Sequence, residues 1–468
     1  MSVITKVSSF ISLFKKAIKG GEQEYTSGSI DRAIFLLSVP MIFEMSMEAI
    51  FAIVDVYFVG RLHDNDAISV IGLTESVLAL IYSLAMGLSM AATAMVARRV
   101  GEKDIKSAEI AAAQAIYIGL AMAALISIVG IFFSENILRL MGGSETLIAN
   151  NVGYTRWMLT GNVTIMLLFI INAVFRGAGD ASLAMRSLLL ANILNIVLDP
   201  IFIFGLGPIP AFGVEGAAIA TNIGRGIGVM YQLYHLLKAK GIIKLRAENL
   251  MVDLSIIGRL LKISAGSTGQ FLIGSASWIF LMRIMSDFGS AAQAGYTIAI
   301  RVIVFAILPA WGMANASATL VGQNLGAGHP DRAEKSVWRA AFFNMIFLAL
   351  VTILFFSLAT PILHFFTTDE VVLKNGIQCL QIVSLGYIFY AYGMVINQSF
   401  NGAGDTRTPI IISFFGFWIF QIPFAYILAM WFHTGPVGVY AAIAIAESLM
   451  ALAGIFIFRQ GKWKAVKV

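Results

Sequence analysis

The chain is short of charge, cysteine and histidine, and each shortage removes a class of protein. Only 12% of its 468 residues are Asp, Glu, Lys or Arg, against roughly 25% in an ordinary soluble chain. With 59% hydrophobic residues and a mean hydropathy of +0.84, a water-soluble fold could not bury its apolar surface, so the excess faces lipid. Cys379 is the single cysteine, which excludes a disulfide framework and a cysteine-based metal cluster. The five histidines (His63, His235, His329, His364 and His433) are scattered, mostly near the ends of apolar runs, and suggest no metal constellation. No G-x-x-x-x-G-K-[ST] occurs, so there is no phosphate cradle and no built-in ATPase. The net charge of +6 does not imply nucleic acid, because Lys and Arg gather in short clusters between apolar runs, as topology signals do.

What is present is span after span. Crossing the hydrocarbon core takes about 20 apolar residues in a helix. Runs near 33–60, 67–97, 107–133, 146–172, 183–206, 213–237, 255–287, 292–321, 337–363, 372–399, 408–432 and 436–458 predict an all-α integral membrane protein of twelve transmembrane helices. With the N-terminus in the cytoplasm, 25 of the 32 Lys and Arg fall in cytoplasmic segments, the 238–262 region included. Four (Arg61, Arg139, Arg283 and Lys374) fall outside and three within spans. That partition predicts a multi-pass protein of the cytoplasmic (inner) membrane with both termini cytoplasmic. Ahead of the first span, Val3, Ile4, Val7, Phe10, Ile11, Phe14 and Ile18 recur at helical spacing among Lys6, Lys15, Lys16 and Lys19. The pattern predicts a membrane-surface helix within residues 1–28, whereas a secretory signal would need a longer unbroken apolar region and a cleavage site.

A shift of 225 residues lays one half of the chain on the other. Arg176-Gly-Ala-Gly-Asp180 falls on Asn401-Gly-Ala-Gly-Asp405, Gly87 on Gly312, Gly101 on Gly326, Gly161 on Gly386 and Asn172 on Asn397. Six spans per half is an even number, so both halves enter from the same side and the repeat is parallel. The expected organisation is an N-lobe over 29–240, a cytoplasmic linker over 241–254 and a C-lobe over 255–468. Transporters built this way hold substrate near the membrane midplane between lobes.

Charge breaks the symmetry. Asp55, Asn195 and Asp199 fall on Phe280, Phe420 and Phe424, Glu75 on Ile300, and Glu44 and Glu48 on Gly269 and Ile273. These carboxylates are thus expected in the N-terminal half only. A charge at the bilayer centre costs about 2.5–3.5 kcal/mol or more, which marks such residues as functional candidates. Glu44, Glu48 and Asp55 share one face of the first span, within about 40° of arc at 100° per residue. Asn195 and Asp199 stand four apart on the fifth span. Two carboxylates and an amide facing one cavity could hold Na⁺ through oxygen ligands; alternatively, one of two crowded carboxyls carries a proton. The structural alternatives are that Glu44 and Glu48 only pair with buried donors, that Asp199 serves the helix distortion at Pro200, and that Asp55 reaches exterior water. Glu75 and Arg301 lie at similar depths on repeat-equivalent spans, so they could meet across the lobe interface. With Glu44, Glu48 and Gln270 they are candidates for lining or gating a cavity.

These residues carry a resemblance. Pro40 with Asp55-Val-Tyr-Phe-Val-Gly60, the two Gly-Ala-Gly-Asp loops, Val321-Gly-Gln-Asn-Leu-Gly-Ala-Gly328, Asn195-Ile-Val-Leu-Asp-Pro200 and Gly216-Ala-Ala-Ile-Ala-Thr221 resemble the multidrug and toxic compound extrusion family. The resemblance implies an antiporter, not an enzyme, that exports cationic amphipathic compounds in exchange for Na⁺ or H⁺, with no cofactor besides that ion. A monomer in the lipid bilayer is expected. The resemblance also implies an N-lobe coupling site at Asp55, Asn195 and Asp199, with Thr221 from the sixth span. Members with a C-lobe cation site carry a seventh-span glutamate and a tenth-span aspartate. Here Ser267–Phe271 and Tyr387–Ala391 hold no carboxylate, so a C-lobe site of that type is not expected. A lipid-linked precursor flippase of the same wider superfamily is the alternative, and a cation-lined cavity would favour it.

Overall fold

The computed structural model describes residues 3–21, 23–62, 64–238 and 241–468. His63 and Lys240 lie outside the described residues. Twelve helical spans follow one another: Ile30–Gly60, Asn65–Gly101, Ile105–Leu140, Glu145–Ala178, Ala181–Phe204 and Val214–Lys238 in the N-lobe, then Leu254–Ser286, Ser290–Gly326, Pro330–His364, Glu370–Ala403, Arg407–Trp431 and Pro436–Arg459 in the C-lobe. Among the described residues, nine pass as membrane spans on length and apolarity alone, and the bent tenth makes ten. The sixth and seventh, of 25 and 33 residues, are long enough at about 1.5 Å per residue but are diluted by polar side chains. Those side chains turn inward: Thr221, Arg225, Gln232, Ser264 and Ser267 are all buried. A helix whose polar face meets protein rather than lipid need not be uniformly apolar.

The internal repeat has a physical form at each shared glycine. Gly179 and Gly404, at φ +91° and +87°, end the fourth and tenth spans in the left-handed conformation that suits glycine. The following Asp180 and Asp405 accept from the backbone N–H of Leu183 (3.3 Å) and Thr408 (3.1 Å), capping the next helix. Gly-Ala-Gly-Asp is therefore a stop-and-start signal, written once per lobe. Gly161 and Gly386 mark the interruptions of the fourth and tenth spans, and the tenth bends there by 61°. Gly101 and Gly326 let the second and eighth spans touch. A Cβ at Gly101 would sit 2.0 Å from the Gln323 carbonyl oxygen, and one at Gly326 would sit 2.1 Å from that of Arg98. Gln323 is Arg98 shifted by 225, so the contact is reciprocal, as a two-fold relation requires.

This crossing lies on the face that carries both chain ends. There Tyr25 donates to the Gly179 carbonyl (3.1 Å), Gln323 to that of Gly177 (3.0 Å) and Arg98 to that of Val466 (2.6 Å). Arg339 pairs with Asp31 through Nε (2.8 Å), and Lys464 with Glu334 (2.6 Å). The N-terminal helix, Val3–Lys19, packs Phe10 and Phe14 edge-on against Phe35 and Phe43 of the first span. The segment before the seventh span is strapped to the third, where Gln114 and Tyr117 donate to the carbonyls of Met251 (2.9 Å) and Leu250 (2.8 Å).

Candidate functional site

The first, fourth, fifth and sixth spans bring the polar residues of the N-lobe together. Four residues apart on the fifth span, Asn195 and Asp199 share a helix face. The Asn195 side-chain amide donates to Asp199 Oδ1 (3.2 Å) and to Thr221 Oγ1 on the sixth span (3.0 Å). With both amide hydrogens committed, its own Oδ1 is left to accept. Asn195 Oδ1, Asp199 Oδ2 and Asp55 Oδ1 are buried and have no hydrogen-bond partner among the described residues. The charge of Asp55 acts on Asp199, so the first span delivers a second carboxylate to the same region. Asp199 spends its described hydrogen bond on Asn195. Among the described residues no three His, Cys, Asp or Glu side chains cluster as metal ligands; a cation here would be held by two carboxylates and an amide.

Glu44 and Glu48 of the first span each have an ion-pair partner on one oxygen, while their Oε2 atoms are buried without a hydrogen-bond partner among the described residues. Glu44 is 2% exposed and meets Arg176 at 2.6 Å and Asn172 at 3.1 Å. Asn172 in turn accepts from Ser187 (2.9 Å) and Gln232 (2.7 Å), which ties four spans together. Glu48 stands 3.8 Å from Arg225, whose guanidinium also donates to the Tyr82 hydroxyl (3.0 Å) and lies over the Phe51 ring at 5.4 Å. The charge of Arg225 reaches Asp55 as well.

Two arginines therefore belong to this network that sequence reasoning did not place in it. Arg176 was counted as a cytoplasmic charge because its motif reads as a loop, yet its side chain is 7% exposed. Arg225 lies within a span, where the partition of Lys and Arg carries no topology signal. An in-span arginine beside a span carrying three carboxylates was the available signal.

Glu75 and Arg301 are both exposed. Arg301 is near enough for its charge to act on Glu75, but no ion pair joins them among the described residues. Gln270 lies in the C-lobe, on the wall of a cavity of about 280 Å³. Its Oε1 accepts from Asn401 (3.3 Å), which also donates to Gln398 (3.1 Å), and Gln398 donates to Asn315 (2.8 Å). At the positions equivalent to Asn195 and Asp199, Phe420 and Phe424 stack at 4.9 Å. The same cavity contains Glu447 of the twelfth span, a C-lobe carboxylate that the expectation of an N-lobe monopoly overlooked. Its repeat partner is Asn222, so a comparison that starts from the N-lobe acids never meets it.

Comparison with known proteins places this architecture. The MatE family model matches residues 40–201 and 267–427, once in each lobe. The probable multidrug resistance protein NorM of Thermotoga maritima is 26% identical over 458 residues, covering 97% of this chain and 96% of that protein. The multidrug export protein MepA of Staphylococcus aureus is 24% identical over 434 residues, covering 92% and 94%. A solved structure described as the outward-facing conformation of a multidrug resistance MATE family transporter superposes with a TM-score of 0.88. It is 27% identical and covers 93% of this chain and 96% of that one.

Proposed function

Since the chain belongs to the MatE family of membrane transporters, we propose that it is a secondary active exporter of cationic, amphipathic organic compounds, driven by Na⁺ or H⁺ through Asp55, Asn195 and Asp199. The observation that carries this reading is the set of three buried, unpartnered oxygens that these residues contribute. A buried acceptor without a donor is costly, and a Na⁺ ion or a proton relieves that cost. The proteins similar to this chain that are described as multidrug resistance and multidrug export proteins support the substrate class.

The local charge balance supports a cation as the driving species. Arg176 pairs with Glu44 and Arg225 with Glu48, and although the charge of Arg225 also reaches Asp55, no ion pair to Asp55 or Asp199 occurs among the described residues. Asn195 holds Asp199 and Thr221 in fixed relation, so the fifth and sixth spans respond to site occupancy together. Binding the driving ion stabilises one arrangement of these spans, and binding the organic cation stabilises the other. The two ligands then exclude each other, and this exclusion is reciprocal, as coupling between sites must be. Both termini lie on the cytoplasmic side of the inner membrane in this reading, supported by the partition of Lys and Arg. A flippase with a cation-lined cavity gains no support from Arg176 and Arg225, since both face carboxylates.

The test is efflux of ethidium in everted vesicles with Na⁺ and pH gradients imposed separately. One gradient should drive ethidium movement and the other should not. Transport indifferent to both would overturn the antiport reading.

A further inference from the structure

The C-lobe cavity has the composition of a second ligand site. It lies within the seventh, eighth, tenth, eleventh and twelfth spans, and its volume of about 280 Å³ is just below the usual range of ligand pockets, roughly 300–1,000 Å³. Phe271 and Trp311 stack nearly parallel on one wall, with ring centres 5.9 Å apart. Trp278, Tyr390 and Phe417 complete an aromatic lining, and Glu447 is its one carboxylate. Glu447 stands midway along the twelfth span, eleven residues after Pro436 and twelve before Arg459. No hydrogen bond or ion pair to it occurs among the described residues. A second, smaller cavity of about 40 Å³ also has Glu447, Trp278 and Tyr390 in its wall.

The repeat shows what is missing beside this carboxylate. One helical turn after Glu447 comes Met450, and Met450 is the residue that corresponds to Arg225 under the 225-residue shift. In the N-lobe that position supplies a guanidinium to Glu48; in the C-lobe it supplies a thioether. The amides of Gln270, Gln398 and Asn401 bond to one another rather than to Glu447. Gln270 and Gln398 both accept from Asn401, and Gln398 donates to Asn315. A hard ion such as Na⁺ or Ca²⁺ wants a shell of oxygens rich in carboxylates, whereas this lining offers one carboxylate among aromatic, apolar, amide and hydroxyl side chains. An aromatic lining with one unneutralised carboxylate suits a soft cation, whose charge meets Glu447 while its body lies on the rings.

We propose that this cavity binds a small monovalent organic cation, with Glu447 as its counter-charge and the Phe271–Trp311 stack as its platform. The proposal rests on the reading of the chain as an exporter of organic cations, and it assigns the cargo to a different lobe from the coupling ion. Met450 and the rings fit a flat apolar body, and an adaptable thioether in the wall tolerates varied shapes.

The test uses the purified full chain and 1-methyl-4-phenylpyridinium, a permanent cation with no titratable group, followed by equilibrium dialysis without any gradient. Glu447→Gln should weaken binding by about tenfold or more. Met450→Arg, which gives Glu447 an internal partner, should weaken it comparably, whereas Asp180→Asn, at a helix cap outside either site, should leave it within about twofold of wild type. The affinity should also fall as pH is lowered and Glu447 takes up a proton, even in an Asp55→Asn, Asp199→Asn background, and Glu447→Gln should abolish that dependence. Wild-type affinity in both C-lobe variants would overturn the site, as would an equal loss in Asp180→Asn. Should Glu447→Gln fail to elute as a folded species, Met450→Arg decides between the same outcomes. Because no gradient is present, a failed coupling site and a failed cargo site give different results.

Discussion

The two lobes share one scaffold and divide its chemistry. In the N-lobe, Arg176 meets Glu44 and Arg225 meets Glu48. In the C-lobe the equivalents of the two arginines are Asn401 and Met450, and the equivalents of the two glutamates are Gly269 and Ile273. Neutral amides around Asn401 replace the ion pair. Asn195 and Asp199, with unpartnered oxygens, face the repeat counterparts Phe420 and Phe424, which stack on each other. The helix ends, the capping loops and the glycine crossings were kept in both copies. The difference teaches that the backbone needs of the repeat lie at glycines and caps, so the buried polar positions were free to diverge.

That contrast can be broken from the N-lobe side first. Asp55→Asn and Asp199→Asn should each bring gradient-driven ethidium efflux down to the no-gradient level at normal expression. Substituting the C-lobe counterpart Phe424→Leu should cost no more than about threefold, a difference of roughly 0.7 kcal/mol. Arg176→Gln comes next. It strands the Glu44 carboxylate in the interior and should destabilise the protein by about 3–5 kcal/mol, read by thermal unfolding in detergent. Adding Glu44→Gln should recover at least half of that, because an amide pair is what the C-lobe uses. If the double variant is no better than the single, the ion pair does more than neutralise charge.

Smaller effects probe what the lobes have in common. Gly101→Ala and Gly326→Ala each push a methyl group into a backbone carbonyl across the second–eighth crossing. Each should cost about 1–3 kcal/mol in the same unfolding assay, and by similar amounts, since the contacts are reciprocal. Unequal costs would show that the crossing is less symmetric than its geometry. Gly72→Ala, where an added Cβ meets nothing within 4 Å, is the control. Smallest of all, Asp180→Asn exchanges one good N-cap for another and should leave both stability, to within about 0.5 kcal/mol, and coupling stoichiometry unchanged.

The sequence made the scaffold legible because its signals are local or strictly periodic. Apolar runs of spanning length, clustered Lys and Arg, and a constant shift of 225 need no knowledge of three-dimensional neighbours. The asymmetry at Asp55, Asn195 and Asp199 emerged from the same shift. Pairing did not. Glu44 and Arg176 are 132 residues apart, and nothing in either local sequence names the other. Arg176 sits at the end of a span, where a cation reads as a topology signal, and only the packing of the first span against the fourth reveals it as a partner. Glu447 lies in an apolar stretch between Tyr440 and Phe458 and was visible in principle. A comparison of N-lobe acids with their C-lobe counterparts does not reach it, because its own counterpart is the neutral Asn222.

The central claim is mutual exclusion between a driving ion in the N-lobe and an organic cation. Its most direct test is to add 1-methyl-4-phenylpyridinium to the purified chain and measure what is released, as protons into a weakly buffered solution or as radioactive Na⁺. Wild type should release one of the two in proportion to the organic cation bound. The Asp55→Asn, Asp199→Asn double variant should release no Na⁺, and only those protons that Glu447 gives up, while still binding the organic cation. Unchanged release from the double variant would contradict the account and move the coupling site elsewhere.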